Sequence, residues 1–244
     1  MTRWLANGDP IGYHNTRWER SQTRMYRGAT YRDCATICVI PTMGFIPAKV
    51  MQSWFNLFAP TNQKFERIVV EGMEVGLAYQ WAIDKILADP KWSTWSYVLT
   101  LEDDNLPPPD GLIRLIEAIE GGVDGQVYDA VGGLYWTKKP DGHPMIYGVP
   151  GELPLHFRPQ VPQTDTVQPC CGLGMGFTLF RLQMFKELSR PWFRTISAWN
   201  AEFGVQKYTQ DLFFFERASQ AGRRFACDTR VKVGHLDAET GTIW

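Results

Sequence analysis

The sequence predicts an α/β fold in which a mostly parallel, Rossmann-type sheet is flanked by helices and followed by an irregular second half. Apolar, β-branched runs alternate with segments of helical spacing through the first half of the chain. One of these runs, residues 97–101, ends abruptly in three acidic residues, one asparagine and three prolines. Because ligands bind beyond the carboxyl ends of strands in open parallel sheets, we expect a site at this point.

The first half reads as three strands separated by helices. Its strands are apolar over their whole length, which is typical of a parallel sheet that is buried on both faces. The resulting β-α-β-α-β-α order favours right-handed crossovers. The predicted strands are residues 35–40, 65–70 and 97–101, and the predicted helices are residues 48–58, 75–87 and 112–119.

The second half has a different character. Residues 130–136 predict a strand, but residues 137–168 are rich in proline, glycine and isolated polar residues. A stretch of this length without regular structure indicates a functional loop or an irregular substrate platform. A short helix is predicted after Thr209, and the segments 224–228 and 231–236 predict a strand pair or an extended segment.

Length, charge and cysteine content limit the protein class. A chain of 244 residues with a net charge of −1 shows no gross electrostatic commitment to nucleic acid or to an anionic membrane. We divide it into an N-terminal arm, residues 1–33, and a single domain, residues 34–244, with a nucleotide-binding half over 34–125 and a second half over 126–244. The start of the sequence lacks the apolar core of a signal peptide, and no run reaches the length of about 20 apolar residues that spans a membrane. The five cysteines form no pair of Cys-x-x-Cys motifs of the kind that binds zinc. We expect a soluble cytoplasmic protein.

The N-terminal arm combines positive charge with aromatic rings. It carries six arginines against three acidic residues, interleaved with tryptophans and tyrosines. Guanidinium groups suit phosphates and rings suit bases or sugars, so nucleic acid is one candidate partner. The favoured interpretation is that the same side chains fasten the arm to its own domain.

The acidic cluster after residue 101 is the strongest chemical signal. Glu102, Asp103 and Asp104 are consecutive, and their charges repel one another unless a cation lies between them. Hard divalent cations prefer carboxylate oxygens. We therefore predict that this cluster is a metal site for a nucleoside diphosphate.

Three residues at the ends of the first two strands are candidate nucleotide contacts. Pro41 and Thr42 follow the first strand, and Glu71 follows the second. The carboxyl ends of parallel strands meet at one sheet edge, which places these residues near the acidic cluster. Ordinary turn chemistry explains the same residues equally well.

Three further candidates come from the second half. The glycine-rich stretch 172–176, with Gly174 at its centre, predicts close approach of the backbone to a sugar or diphosphate. Asp211 opens the predicted helix, where backbone N–H groups lower the pKa of a carboxylate, and it is read either as a helix cap or as a functional acid. His235 closes the last extended segment and is read either as structural or as a ligand.

The order of these motifs resembles GT-A-type nucleotide-sugar glycosyltransferases. The resemblance covers residues 35–236 and rests on four motifs. Leu101–Asn105 is similar to the Asp-x-Asp segment of that family, and Gln210–Asp211 is similar to its Glu-Asp motif. Gly234–His235 is similar to its metal-binding histidine, and the fourth motif is the glycine-rich stretch 172–176. Glu102 and Gln210 depart from the family pattern, which leaves open which carboxylate contacts the metal and which contacts the ribose.

The resemblance implies a hexosyltransferase-like enzyme that uses a nucleotide-sugar donor. It implies that Asp104 and His235 bind Mn²⁺ or Mg²⁺, that Pro41, Thr42, Glu71, Glu102, Asp103 and Gly174 bind the donor, and that Asp211 is the base of an inverting reaction. Viral enzymes that glycosylate hydroxymethylated bases in DNA are one acceptor class, which would place the protein in the host cytoplasm. Two other functions stay open: a non-catalytic carbohydrate- or nucleic-acid-binding protein on a degenerate transferase fold, and a metal-dependent phosphohydrolase.

Overall fold

The alternation of strands and helices predicted for the first half is present in a computed structural model, which describes residues 31–200 and 204–244. The predicted arm, residues 1–33, lies outside the described residues except for its last three. The longer strands are β1 (Thr36–Thr42), β2 (Phe65–Glu71), β3 (Tyr97–Leu101), β5 (Ala130–Leu134), β7 (Val167–Cys170), β9 (Phe177–Arg181), β10 (Ile196–Asn200), β11 (Gly204–Tyr208) and β12 (Phe225–Lys232). The two-residue strands are β4 (Asn105–Leu106), β6 (Ile146–Tyr147), β8 (Gly172–Leu173) and β13 (Gly234–His235), and the α-helices are α1 (Ala48–Phe55), α2 (Val75–Ala88), α3 (Gly111–Ile119), α4 (Leu182–Glu187) and α5 (Gln210–Gln220).

The central sheet has seven strands in the order β2-β1-β3-β9-β5-β12-β7. The pairs β1–β2, β1–β3 and β5–β12 are parallel, whereas β9 runs antiparallel to both β3 and β5, and β7 antiparallel to β12. Five strands therefore point the same way, which confirms the mostly parallel α/β fold. Because β9 lies between β3 and β5, the two halves of the chain share one sheet.

The helices form two layers on the sheet. Helices α2, α4 and α5 pack on one face around an aromatic cluster, and α1 and α3 pack on the other face around aliphatic side chains. In the aromatic layer, the ring centroids of Phe193 and Phe214 are 5.0 Å apart and those of Phe215 and Phe225 are 4.9 Å apart. These two layers bury both faces of the sheet and hold its strand ends in place.

Several predicted boundaries differ from the structure. The first helix ends at Phe55, three residues before its predicted end, and β5 ends at Leu134 before the bridge between Trp136 and Pro144. Of the two alternatives predicted near the end of the chain, the extended segment is correct and the strand pair is not, because residues 225–232 form one continuous strand that lies inside the sheet. The irregular character predicted for residues 137–168 is confirmed apart from β6 and the start of β7.

The state of the cysteines and the character of the helices bear on disulfide bonds and on membrane spans. All five cysteines are buried as free thiols. Among the described residues, we found no helix that combines the length and the apolar character needed to cross a membrane.

Candidate functional site

The acidic cluster lies at the carboxyl edge of the sheet, where β1 and β3 end side by side. The two strands are parallel neighbours, so the residues that follow β3 come next to Thr42 at the end of β1. The Thr42 hydroxyl accepts a hydrogen bond from the Gly44 N–H at 3.1 Å and donates one to the Asp103 carboxylate. Local pairing thus fixes the position of Asp103.

A cleft of about 320 Å³ opens at this edge. Pro41, Thr42, Glu102, Asp103 and Asp104 line it, together with Gln210, residues 73–75 and Met43. Five of the predicted site residues therefore share one cavity. A larger cavity of about 400 Å³ lies between residues 150–155 and the end of α5, and its lining contains none of the predicted site residues.

Asp104 and His235 come together because β4 pairs with β13. Their antiparallel register sets His235 opposite Asn105, and the Leu236 N–H donates to the Asp104 carbonyl at 2.8 Å. The distance from His235 Nε2 to Asp104 Oδ2 is 3.5 Å. The predicted metal pair, 131 positions apart in sequence, is thus brought into contact by two very short strands.

The imidazole of His235 is held in one orientation. Its Nδ1 lies 2.7 Å from the Trp136 carbonyl oxygen, and the Tyr135 ring stands edge-on to it with centroids 5.3 Å apart. A carbonyl accepts but does not donate, so Nδ1 carries the proton and Nε2 faces Asp104. A hydrogen bond from Nδ1 to a backbone carbonyl, here that of Trp136, is the usual way in which a metal-binding histidine is oriented to bind through Nε2.

Lys138 is a site residue that the sequence analysis did not identify. Its ammonium group forms an ion pair with Asp104 Oδ2, the same oxygen that faces His235. Burial alone would raise the pKa of Asp104, but hydrogen bonds and positive charges from His235 and Lys138 outweigh that effect and lower it. The only signal in the sequence is a pair of lysines in the turn after Trp136.

The donor set at Asp104 suits a divalent cation. Asp104 Oδ1 is buried without a hydrogen-bond partner, and a carboxylate oxygen in that state is costly unless a ligand or ion satisfies it. Asp104 and His235 supply one oxygen and one nitrogen ligand, to which water and phosphate oxygens are the usual complement. Within the described ranges, no cluster of three or more metal-binding side chains is present.

The Glu102 carboxyl group is buried next to the acidic residues Asp103 and Asp104. The Tyr79 hydroxyl donates to its Oε1 at 3.2 Å. Enclosure of the carboxyl group, followed by the negative charges of Asp104 and Asp211, raises the pKa of Glu102 to about 8. Glu102 is therefore largely protonated at neutral pH, which leaves Asp104 as the better anionic ligand for a cation. Burial likewise raises the pKa of Asp103, although its bond to Thr42 opposes the change.

Asp211 lies in the first turn of α5, as predicted, with only 7% of its surface exposed. Its Oδ1 accepts hydrogen bonds from the Leu212 N–H at 2.9 Å and from the Thr209 hydroxyl. The expectation of a lowered pKa is wrong, because burial raises the pKa of Asp211 by more than these bonds lower it. Asp211 also acts electrostatically on Glu102, which places the two carboxyls in one region.

The glycine-rich stretch supports the acidic cluster from within. A Cβ at Gly174 would overlap the Tyr135 hydroxyl, and one at Gly176 would overlap the Asn105 side-chain amide. The Gly176 N–H donates to the Tyr135 hydroxyl at 2.8 Å, and its carbonyl accepts from the Glu102 N–H at 3.2 Å. These contacts explain the glycines by packing, and the donor-binding role of Gly174 stays a prediction.

Glu71 is the last residue of β2, at the same sheet edge, but it lies outside the cleft lining. A Cβ at Gly44, where φ is +101°, would lie 2.8 Å from Glu71 Oε1, and the Gly72 N–H donates to the Thr42 carbonyl at 2.9 Å. Glu71 thus borders the turn that follows β1. Its contact with a donor stays a prediction.

Comparisons with known proteins support the fold. No family model matches the chain, and no curated protein matches it. Among solved structures, it is similar to one described as "Crystal Structure of A197 from STIV", with a TM-score of 0.58 and 18% sequence identity. That match covers 86% of this chain and 92% of the other. At this identity the likeness shows the fold alone.

Proposed function

We propose that the protein is a metal-dependent glycosyltransferase that moves a sugar from a nucleoside-diphosphate sugar to an acceptor hydroxyl with inversion. The observation that carries the proposal is the meeting of Asp104 and His235 beside a cleft lined by Thr42 and Asp103. Residues that are separate motifs in the sequence share one strand edge. Such an edge is the usual place for a nucleotide in this kind of sheet.

Each residue has a proposed part. Asp104 and His235 would hold Mn²⁺ or Mg²⁺, which when bound would offset negative charge on the departing diphosphate. Pro41, Thr42 and Asp103 bind the donor at the cleft. The Thr42 hydroxyl and the half-buried Asp103 carboxylate form a polar pair that suits a sugar hydroxyl.

Asp211 is the proposed general base that takes the proton of the acceptor hydroxyl. Burial raises its pKa, so its carboxylate is more basic than an ordinary aspartate and better matched to that task. Glu102, protonated at neutral pH, adds no second negative charge close to Asp211. The structure therefore supports the base assignment more strongly than position in the sequence did.

The proposal is tested by incubating the protein with UDP- and GDP-sugars, with Mn²⁺ or with EDTA, and separating the nucleotide products. We expect Mn²⁺-dependent release of intact nucleoside diphosphate. Nucleotide binding without turnover across varied acceptors would favour the non-catalytic binding protein. Release of free phosphate would favour the phosphohydrolase.

The acceptor is a separate part of the proposal. A hydroxymethylated base in DNA is the proposed acceptor, on the basis of the arginines and aromatic residues in the N-terminal arm. Deleting residues 1–30 should weaken DNA binding and reduce its dependence on salt. Unchanged binding by the shortened protein would contradict a DNA acceptor and leave the sugar-transfer proposal standing.

A further inference from the structure

Lys138 occupies the position on Asp104 that the proposed function assigns to a divalent cation. Its ammonium group pairs with Oδ2, and the same oxygen lies 3.5 Å from His235 Nε2. Because this oxygen of Asp104 faces His235, a cation held by the two residues would lie close to it. A lysine ammonium and a divalent cation repel each other at such a distance, so both do not hold Oδ2 at full strength.

Negative charge is concentrated around Asp104. Asp103 and Asp104 are adjacent carboxylates, and Asp104 Oδ1 is buried without a partner. The charge of Lys138 acts on Asp103 and on Asp237 as well as on Asp104. Lys138 is thus a positive group that acts on all three carboxyls, and it offsets part of their negative charge.

The backbone around Lys138 is held by hydrogen bonds, and its side chain is partly exposed. The Thr137 N–H donates to the His143 carbonyl at 3.0 Å, and the Gly142 N–H donates to the Lys139 carbonyl at 2.9 Å. The Lys138 side chain is 32% exposed at the mouth of the site. Its ammonium group therefore reaches water, or the Asp237 side, by rotation of a flexible stem without a change in the loop.

We infer that Lys138 is a resident counter-ion of Asp104 that a divalent cation must displace. Metal binding to the free protein is then an exchange of one cation for another at a single carboxylate. This inference rests on the proposed function only in its assignment of Asp104 and His235 as the metal ligands. It predicts that the wild-type protein binds Mn²⁺ more weakly than a variant that lacks the Lys138 charge.

The first test measures Mn²⁺ binding by electron paramagnetic resonance, with no nucleotide or sugar present. Lys138→Met should bind Mn²⁺ at least about tenfold more tightly than wild type, since it removes the competing positive charge. Lys138→Arg, which keeps the charge, should stay close to wild type. The matched control is Lys139→Met, in the same turn but exposed and outside the site. Equal or weaker Mn²⁺ binding by Lys138→Met would overturn the inference.

The second test measures thermal unfolding in EDTA and in Mn²⁺. In EDTA, Lys138→Met should unfold at a lower temperature than wild type, because Asp103 and Asp104 lose their shared positive charge. Mn²⁺ should raise the unfolding temperature of Lys138→Met more than that of wild type, and Asp104→Asn in the same background should abolish the difference. A variant that responds to Mn²⁺ no more than wild type would overturn the inference.

The inference about Lys138 and the proposed function can be refuted independently of each other. Both tests omit the sugar donor, so their outcome does not depend on catalysis. Sugar transfer by a protein in which Lys138→Met leaves Mn²⁺ binding unchanged would overturn the inference alone. The Lys138 effect in a protein that transfers sugar from no donor would overturn the proposed function alone.

Discussion

The Asp104 carboxylate and the His235 imidazole face each other, with 3.5 Å between Oδ2 and Nε2. The opposite side of the imidazole is held by the Trp136 carbonyl oxygen, 2.7 Å from Nδ1. Since Nδ1 carries a proton, either a second proton or a cation must lie between Nε2 and the carboxylate for the contact to be attractive. This contact joins the acidic cluster after β3 to the last short strand, β13.

Replacing His235 should weaken metal binding without unfolding the protein. We expect His235→Gln to lower Mn²⁺ affinity by about 10- to 100-fold, because it removes a nitrogen ligand whose orientation is fixed by Trp136. Calorimetric titration with Mn²⁺ measures the change. The matched control is His156→Gln, which removes a histidine paired with Glu152 at 2.8 Å far from the acidic cluster in sequence. Equal affinities for the two variants would contradict the assignment of His235.

Glu102 should make the metal-free protein less stable as pH rises. Its pKa is raised from 4.5 to about 8, so the folded state holds a proton that the unfolded state releases, and stability falls between about pH 4.5 and pH 8. Glu102→Gln should remove this loss, by an amount of the order of 4 kcal/mol at pH 8. Urea unfolding in EDTA from pH 5 to pH 9 measures it.

The control for Glu102 is Glu239→Gln, which changes an exposed glutamate and should keep the wild-type pH dependence. A constant difference between wild type and Glu102→Gln over the whole pH range would show that the carboxyl is not titrating within the folded protein.

Asp211→Asn should abolish sugar transfer and at the same time stabilise the protein. Burial raises the pKa of Asp211, so its ionised form costs free energy that grows as pH rises above the usual aspartate range. The asparagine oxygen still accepts the bonds from Leu212 and Thr209. We expect Asp211→Asn to unfold at a higher temperature than wild type at pH 7.

Thermal unfolding at pH 7 and pH 4 measures the Asp211 effect, which should shrink at the lower pH. The control Asp141→Asn, at an exposed turn position, should change neither stability nor activity. A stable Asp211→Asn variant that retains full transfer activity would contradict its role as the base.

Gly174→Ala should destabilise the fold through Tyr135. The added methyl group would overlap the Tyr135 hydroxyl, and such overpacking typically costs about 1–3 kcal/mol. Tyr135→Phe removes that hydroxyl, so the double variant should lose less stability than the sum of the two single variants, with a coupling of about 1 kcal/mol. Chemical denaturation of the four proteins measures this cycle. Strict additivity would indicate that Gly174 is required for another reason.

Much of the sheet edge can be predicted from the sequence, because short runs of neighbouring residues indicate it. The apolar run 97–101 predicts β3, and the acids after it predict a charged strand end. Placing Thr42 beside Asp103 needs only the rule that parallel strands present their carboxyl ends together. The contact between Asp104 and His235 was predicted from the resemblance, and its cause is the pairing of β4 with β13, two strands too short for a pattern to reveal.

The features that the sequence did not reveal depend on distant packing. Lys138 lies in an irregular stretch, and nothing local indicates that its ammonium group reaches Asp104. The pKa of Asp211 was predicted from the start of its helix alone, whereas burial beneath neighbouring elements determines it. The glycines 174 and 176 were predicted to face a ligand, while Tyr135 and Asn105, remote in sequence, fill the space beside them.

The central claim is that Asp104 holds a divalent cation for cleavage of a nucleotide sugar. The most direct measurement is the rate of nucleoside diphosphate release from UDP- and GDP-sugars at saturating Mn²⁺, for wild type, Asp104→Asn and the exposed control Asp141→Asn. We predict Mn²⁺-dependent release by wild type and the control, and a loss of at least about 100-fold for Asp104→Asn. Release by Asp104→Asn at the wild-type rate, or release by wild type that is the same in EDTA, would contradict the claim.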